Sequence, residues 1–223
     1  MESLINHEIA APLKEARNDR HCEEKSDEAI SVCSECSIIK IADTRRTMAA
    51  KATIYKASLN IADMDRNYYA EHNFTLAKHP SENDLRLMVR LAAFILNADE
   101  KLLFSKGISQ DDEPDLWQKA LDGEIKLWID LGQPDEKRIR KACGRSERVI
   151  IYTYQEGSAS AWWKQIGKSL ERFKNLSVVY LSIAGEIELL AQRTMALQCN
   201  ISDYELTIID NENSVIVKEE RWK

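Results

Sequence analysis

Two aspartates frame the stretch of this sequence best suited to chemistry. Asp115 follows Pro114 at the head of one β-rich run, and Asp130 sits near the end of another, Ile125 to Leu131. That second run is otherwise apolar, and a carboxylate there is costly to desolvate. If the runs over 115–119 and 124–131 pair as a hairpin, the carboxylates converge at its open side. With a backbone carbonyl they would form an oxygen-rich site of the kind Mg²⁺ or Mn²⁺ accepts. Such an ion polarises a phosphoryl oxygen and lowers the pKa of a bound water. By itself, the spacing fits Asp130 better as a turn or cap residue closing its strand. Just beyond lies the only dense basic cluster, Lys137-Arg-Ile-Arg-Lys141, continued by Arg145 and Arg148. Lys137 and Lys141 share a helix face, with Arg138 and Arg145 at neighbouring angles. That face is either a solvated one balanced by Asp135, Glu136 and Glu147, or one that meets a phosphate backbone.

The elements that must position these groups can be read from periodicity. Ala52 to Ile61 and Tyr68 to Ala77 are β-rich and flank the polar turn 63–67, which predicts a hairpin. Ser81 as N-cap, with Asp84 three residues on, opens a helix to about Asn97 along Leu85, Met88, Leu91, Ala92 and Ile95. Glu82 and Glu100 at its ends are further candidate carboxylates, with surface charge as their default. Three short strands follow, over 102–106, 115–119 and 124–131, then a helix over 135–143 with Gly144 as its stop. Val149 to Tyr154, apolar on both alternations, predicts a strand covered on both sides. Trp162, Ile166, Leu170 and Phe173 mark a third helix entered through Ser158 or Ser160. Trp163 faces another direction, for packing or as a stacking platform. A strand over 176–183 and a helix over 186–197 come next. A hairpin of 206–209 with 215–218 completes the pattern, and the class is mixed α/β with a mixed sheet.

Composition limits the function. All sixteen aromatics and all seven glycines of the 223 residues lie beyond residue 50. Residues 1–47 therefore have little with which to build a core, and read as a disordered or weakly helical extension. The run 17–30 also resembles translated repeat elements found between bacterial genes, and Met48 reads as a natural start. The extension has neither the apolar core of a secretory signal nor the acid-poor composition of a transit peptide. It holds Cys33-Ser-Glu-Cys36 with His21 and Cys22 upstream, without the ligand spacing of a zinc site. Cys143 and Cys199 read as core thiols. No run is long and apolar enough to cross a membrane. The formal charge is −6; with ten acids and seven bases in residues 1–47, residues 48–223 carry 27 acids and 24 bases, a balance of −3. A cytoplasmic monomer is the expectation. No glycine-rich phosphate loop or nucleophile elbow is present, which argues against P-loop NTPase or α/β-hydrolase chemistry and against a nucleotide cofactor.

Four strings of this chain resemble a bacterial family. They are Lys51-Ala-Thr-Ile-Tyr-Lys56, Asn60-Ile-Ala-Asp-Met-Asp-Arg-Asn-Tyr-Tyr69, Asp112-Glu-Pro-Asp-Leu-Trp-Gln-Lys119 and the run 127–144 around Leu127-Trp-Ile-Asp130. On these strings residues 48–223 look like the YaeQ family. The resemblance implies a restriction-endonuclease-like αβββαβ core of the PD-(D/E)XK superfamily, flanked by an N-terminal and a C-terminal β-hairpin. It implies that Asp115 and Asp130 hold Mg²⁺ or Mn²⁺ together with the Leu131 carbonyl. The superfamily lysine falls on Gly132, a departure from the pattern. Gln133 would then position water and Lys137, one turn into the next helix, would supply the charge. Lys137, Arg138, Lys141 and Arg145 would meet nucleic acid. Two functions follow: a metal-dependent nuclease or phosphodiesterase, or a catalytically degenerate nuclease fold that binds nucleic acid or protein.

Overall fold

The structure, a computed structural model, describes residues 52–105 and 113–223. The expectations for residues 1–47, including Cys33 and Cys36, lie outside these. The described strands form one ten-stranded mixed sheet. In chain order they are β1 (Thr53–Asp63), β2 (Tyr68–Lys78), β3 (Leu102–Phe104), β4 (Leu116–Lys119), β5 (Ile125–Leu131), β6 (Ser146–Thr153), β7 (Leu176–Ala184), β8 (Thr194–Ser202), β9 (Glu205–Ile209) and β10 (Ser214–Arg221). Across the sheet the order is β2-β1-β8-β9-β10-β7-β6-β5-β4-β3. Three α-helices accompany it: α1 (Asp84–Leu96), α2 (Glu136–Arg145) and α3 (Glu156–Leu170).

The sheet curls around α1. Inward residues of β1, β5, β7, β8 and β10 enter the same apolar cluster as that helix, and every residue from Leu87 to Ile95 is buried. α1 is therefore covered all round rather than along one stripe, and Arg90 is only 2% exposed. On the other face of the sheet Trp128, Val149, Ile151 and Val178 pack against Ile139 and Ala142 of α2 and Leu170 of α3. β5 alternates between these two cores, with Leu127, Ile129 and Leu131 on one side and Trp128 on the other. This double cover explains why its sequence is apolar at every position but one after Lys126.

Several local expectations give way. The helix read over 186–197 is a 3-10 turn, Ile187–Leu190, followed by β8. In β8 Met195, Leu197, Cys199 and Ile201 are buried at every second position. Parallel pairing with β1 and antiparallel pairing with β9 outweigh local helix propensity. β8 also changes the meaning of the two terminal hairpins. They pair as read, but both are integral to the sheet, with β9 and β10 near its middle. The α1 N-cap is Asn83, whose side chain accepts from the Arg86 N–H at 2.8 Å, and not Ser81, which bonds His79 instead. Asp135 caps α2 by the same bond to the Arg138 N–H, at 2.7 Å. Gly144 does not stop α2, which runs through it to Arg145 and ends on the extended Ser146. α3 starts after Gln155, earlier than either serine, and ends before Phe173.

Candidate functional site

Asp115 and Asp130 both become buried, and each meets an arginine. Asp115 stands just before β4, where Leu116 pairs with Ile129 of β5. Its Oδ1 accepts from Arg86 Nη2 at 2.8 Å, and its Oδ2 from the Leu131 N–H at 2.9 Å. The same guanidinium donates through Nη1 to the Leu131 carbonyl at 3.2 Å. Asp130 is gripped in bidentate fashion by Arg138 of α2, Nε to Oδ2 at 2.9 Å and Nη2 to Oδ1 at 2.8 Å. Arg138 Nη2 also donates to the Glu113 carbonyl at 2.8 Å. Two guanidinium groups thus engage the three groups expected to bind a divalent ion.

The electrostatics follow from burial. Burial, reinforced by the nearby Asp130 charge, pushes the Asp115 carboxyl above its usual range, although Arg86 and the Leu131 N–H pull the other way. Burial works against the Arg86 charge, but Asp115 and the neighbouring Tyr154 phenol hold it above its ordinary value. Glu82 belongs to the same cluster. It is buried, lies 3.3 Å from buried Arg90, and its carboxyl is raised by burial against the charges of Arg90 and Arg86. Glu100 is exposed. Among the described residues no group of three or more His, Cys, Asp or Glu side chains is arranged to hold a metal ion. As arranged, Arg86 and Arg138 take one hydrogen bond from each donor oxygen they reach, so a dication would have to displace a guanidinium or share these oxygens with it.

The other expected residues divide. Gln133 is exposed and donates to Ser158 Oγ at 2.8 Å, at the start of α3. Lys137 is exposed, and no hydrogen bond or ion pair joins it to Asp115 or Asp130. Lys141 and Arg145 are also exposed, whereas Arg138 turns inward to Asp130. Gly132 has φ of +90°, and a Cβ there would approach Arg86 Nη1 to 3.5 Å. A lysine at this position would meet both backbone strain and a like charge.

Sequence reasoning missed Arg86, Arg90 and Tyr154. Two arginines spaced i, i+4 inside Leu85–Ile95 carried a signal. Charges that interrupt an apolar helix on all sides imply carboxylate partners.

A family model described as YaeQ protein matches residues 48–219. The chain is 44% identical over 178 residues to the uncharacterised protein YaeQ of Escherichia coli (strain K12), covering 79% of this chain and 98% of that one. It is 43% identical to the uncharacterised YaeQ of Salmonella typhi over the same shares. The crystal structure of the YaeQ protein from Xanthomonas axonopodis pv. citri superposes with a TM-score of 0.74 at 45% identity, covering 77% of this chain and 98% of that one. That from Pseudomonas syringae superposes at 0.71 with 31% identity, covering 77% and 96%.

Proposed function

The chain belongs to the YaeQ family, and from that membership and the arginine-bound aspartates we propose a PD-(D/E)XK-like fold whose catalytic position is occupied by guanidinium groups. On this reading the protein binds nucleic acid without hydrolysing it. The carrying observation is Arg86, which donates both to Asp115 and to the Leu131 carbonyl. A guanidinium satisfies the acceptors a metal would need, and the Arg138–Asp130 pair does the same beside it. The missing lysine agrees, since the backbone at Gly132 is left-handed. The exposed face of α2, carrying Lys137, Lys141 and Arg145, offers the cations that a phosphate backbone requires.

A second reading, hydrolysis assisted by Mg²⁺ or Mn²⁺ at Asp115 and Asp130, has one observation in its favour. The two carboxylates are close enough for the charge of one to raise the other. Calorimetric titration of Mg²⁺ and Mn²⁺ separates the two. The proposed reading expects no saturable heat at millimolar metal, and retarded oligonucleotides that stay intact. Saturable binding lost in both Asp115→Ala and Asp130→Ala, with both variants folded, would overturn it in favour of the second.

A further inference from the structure

On the sheet face that carries α2 and α3, a second constellation takes no part in the aspartate cluster. α3 carries Glu156, Trp163 and Lys164 at i, i+7 and i+8, along one side. They face Tyr180 of β7, Glu220 of β10 and Trp222 just beyond that strand, across a cavity of about 280 Å³. The β7–β10 register sets Glu220 opposite Tyr180, so both project to the same face. The Tyr180 and Trp222 rings stack, with centroids 5.2 Å and planes 3° apart, and Trp163 adjoins Trp222 at 5.9 Å. Two features hold this wall. The Trp222 N–H donates to the Val178 carbonyl at 2.9 Å, pinning the residue to β7. Gly167 gives the Trp163 indole its room, because a Cβ there would come within 3.1 Å of the ring.

The charges around the cavity are unbalanced. Glu156 and Glu220 are exposed, and Glu220 Oε1 accepts from the Trp222 indole N–H at 3.1 Å, a neutral donor that leaves its charge in place. Burial and these two carboxylates together push the Tyr180 phenol above its usual 10.0. Two carboxylates against the one ammonium of Lys164 leave one negative charge over an aromatic wall.

We propose that this cavity binds a small organic cation whose nitrogen carries alkyl groups, a methylated or quaternary ammonium. Ring faces and carboxylates both attract such a charge, and its methyl groups bury against indole. A phosphate-bearing ligand meets repulsion from Glu156 and Glu220. A bare metal cation finds too few oxygen ligands. At about 280 Å³ the volume falls just under the range of about 300–1,000 Å³ usual for ligand cavities, and suits a head group rather than a nucleotide.

The test is tryptophan fluorescence of the full chain titrated with tetramethylammonium chloride. Sodium chloride at matched ionic strength and adenosine monophosphate serve as parallel arms. We expect saturation with tetramethylammonium at millimolar concentration and none with sodium. Glu156→Gln lies on an exposed position that leaves the fold alone, and should weaken binding roughly two- to fivefold, the range of an exposed charge pair. Trp222→Ala should abolish saturation; if its circular dichroism shows misfolding, the double variant Glu156→Gln/Glu220→Gln decides. Any of three results overturns the proposal: an equal sodium response, tighter binding of the nucleotide than of the ammonium, or unchanged binding in the double variant.

Discussion

At the scale of single residues, two half-buried arginines partner the buried aspartates. The Arg86 side chain is 23% exposed and its partner Asp115 10%. Removing one partner of such a pair strands the other, at a cost of about 3–5 kcal/mol. Arg86→Ala is therefore expected to lower the urea midpoint by that equivalent, and Arg86→Met with Asp115→Leu to recover most of it. A loss below 1 kcal/mol for Arg86→Ala, on the order of an exposed pair, would show that water replaces the guanidinium freely. The pH dependence of Asp115 is a second expectation. Burial holds its folded pKa above the usual 3.8, so the native state binds this proton more tightly than the unfolded chain. Its contribution is then fully present below the unfolded value and is lost as pH rises through the folded one. Wild-type stability measured against Asp115→Asn should thus fall between acid and neutral pH. A difference that grows with pH would mean that Arg86 and the Leu131 N–H outweigh burial.

At the scale of elements, what the sequence revealed depended on how local the governing physics was. β5 and β6 were legible because burial on both faces leaves an apolar run that no other environment explains, and Asp130 stood out against it. The α2 start was legible through Asp135 and the basic residues after it. β8 was misread although Met195, Leu197, Cys199 and Ile201 already alternate with Ala196, Gln198 and Asn200 in the sequence; the helix-favouring residues 186–192 just before it masked the change of period. The cluster was half legible. Acidic residues near strand ends announce a site, but the arginines that neutralise them come from helices 29 and 8 residues away in sequence. The loop after β5 makes this testable. Gly132 is in a left-handed conformation at the position where the proposed PD-(D/E)XK pattern would place lysine, and its N–H donates to the Tyr152 carbonyl at 2.8 Å. Gly132→Ala should cost about 1–2 kcal/mol, from backbone strain alone. Gly132→Lys should cost more, by repulsion from Arg86, and should not confer hydrolysis. Cleavage by the lysine variant would show that the acidic site needs only its ammonium.

At the scale of the whole molecule, charge is distributed against general polyanion binding. The chain carries −6 overall and −3 over residues 48–223, so attraction to nucleic acid must be local. On the proposed reading, α2 supplies that locality. Arg138 turns inward to Asp130, and Lys137, Lys141 and Arg145 are exposed. Three phosphate contacts predict a log–log salt slope of roughly −2 to −3 for duplex DNA, far shallower than that of a strongly basic protein. Lys137→Glu/Lys141→Glu/Arg145→Glu changes only exposed positions, so it should leave the melting temperature within a few degrees while removing the binding. Arg138→Ala should behave in the opposite way. By stranding buried Asp130 it destabilises the fold by about 3–5 kcal/mol, yet it leaves the outer basic face in place at temperatures where the protein stays folded. Anisotropy with a labelled duplex at several salt concentrations, run beside thermal melts, separates the two effects. A steep slope that survives the triple reversal would move the interface off α2. No binding at low salt by wild-type protein would turn the whole-molecule reading toward a protein partner.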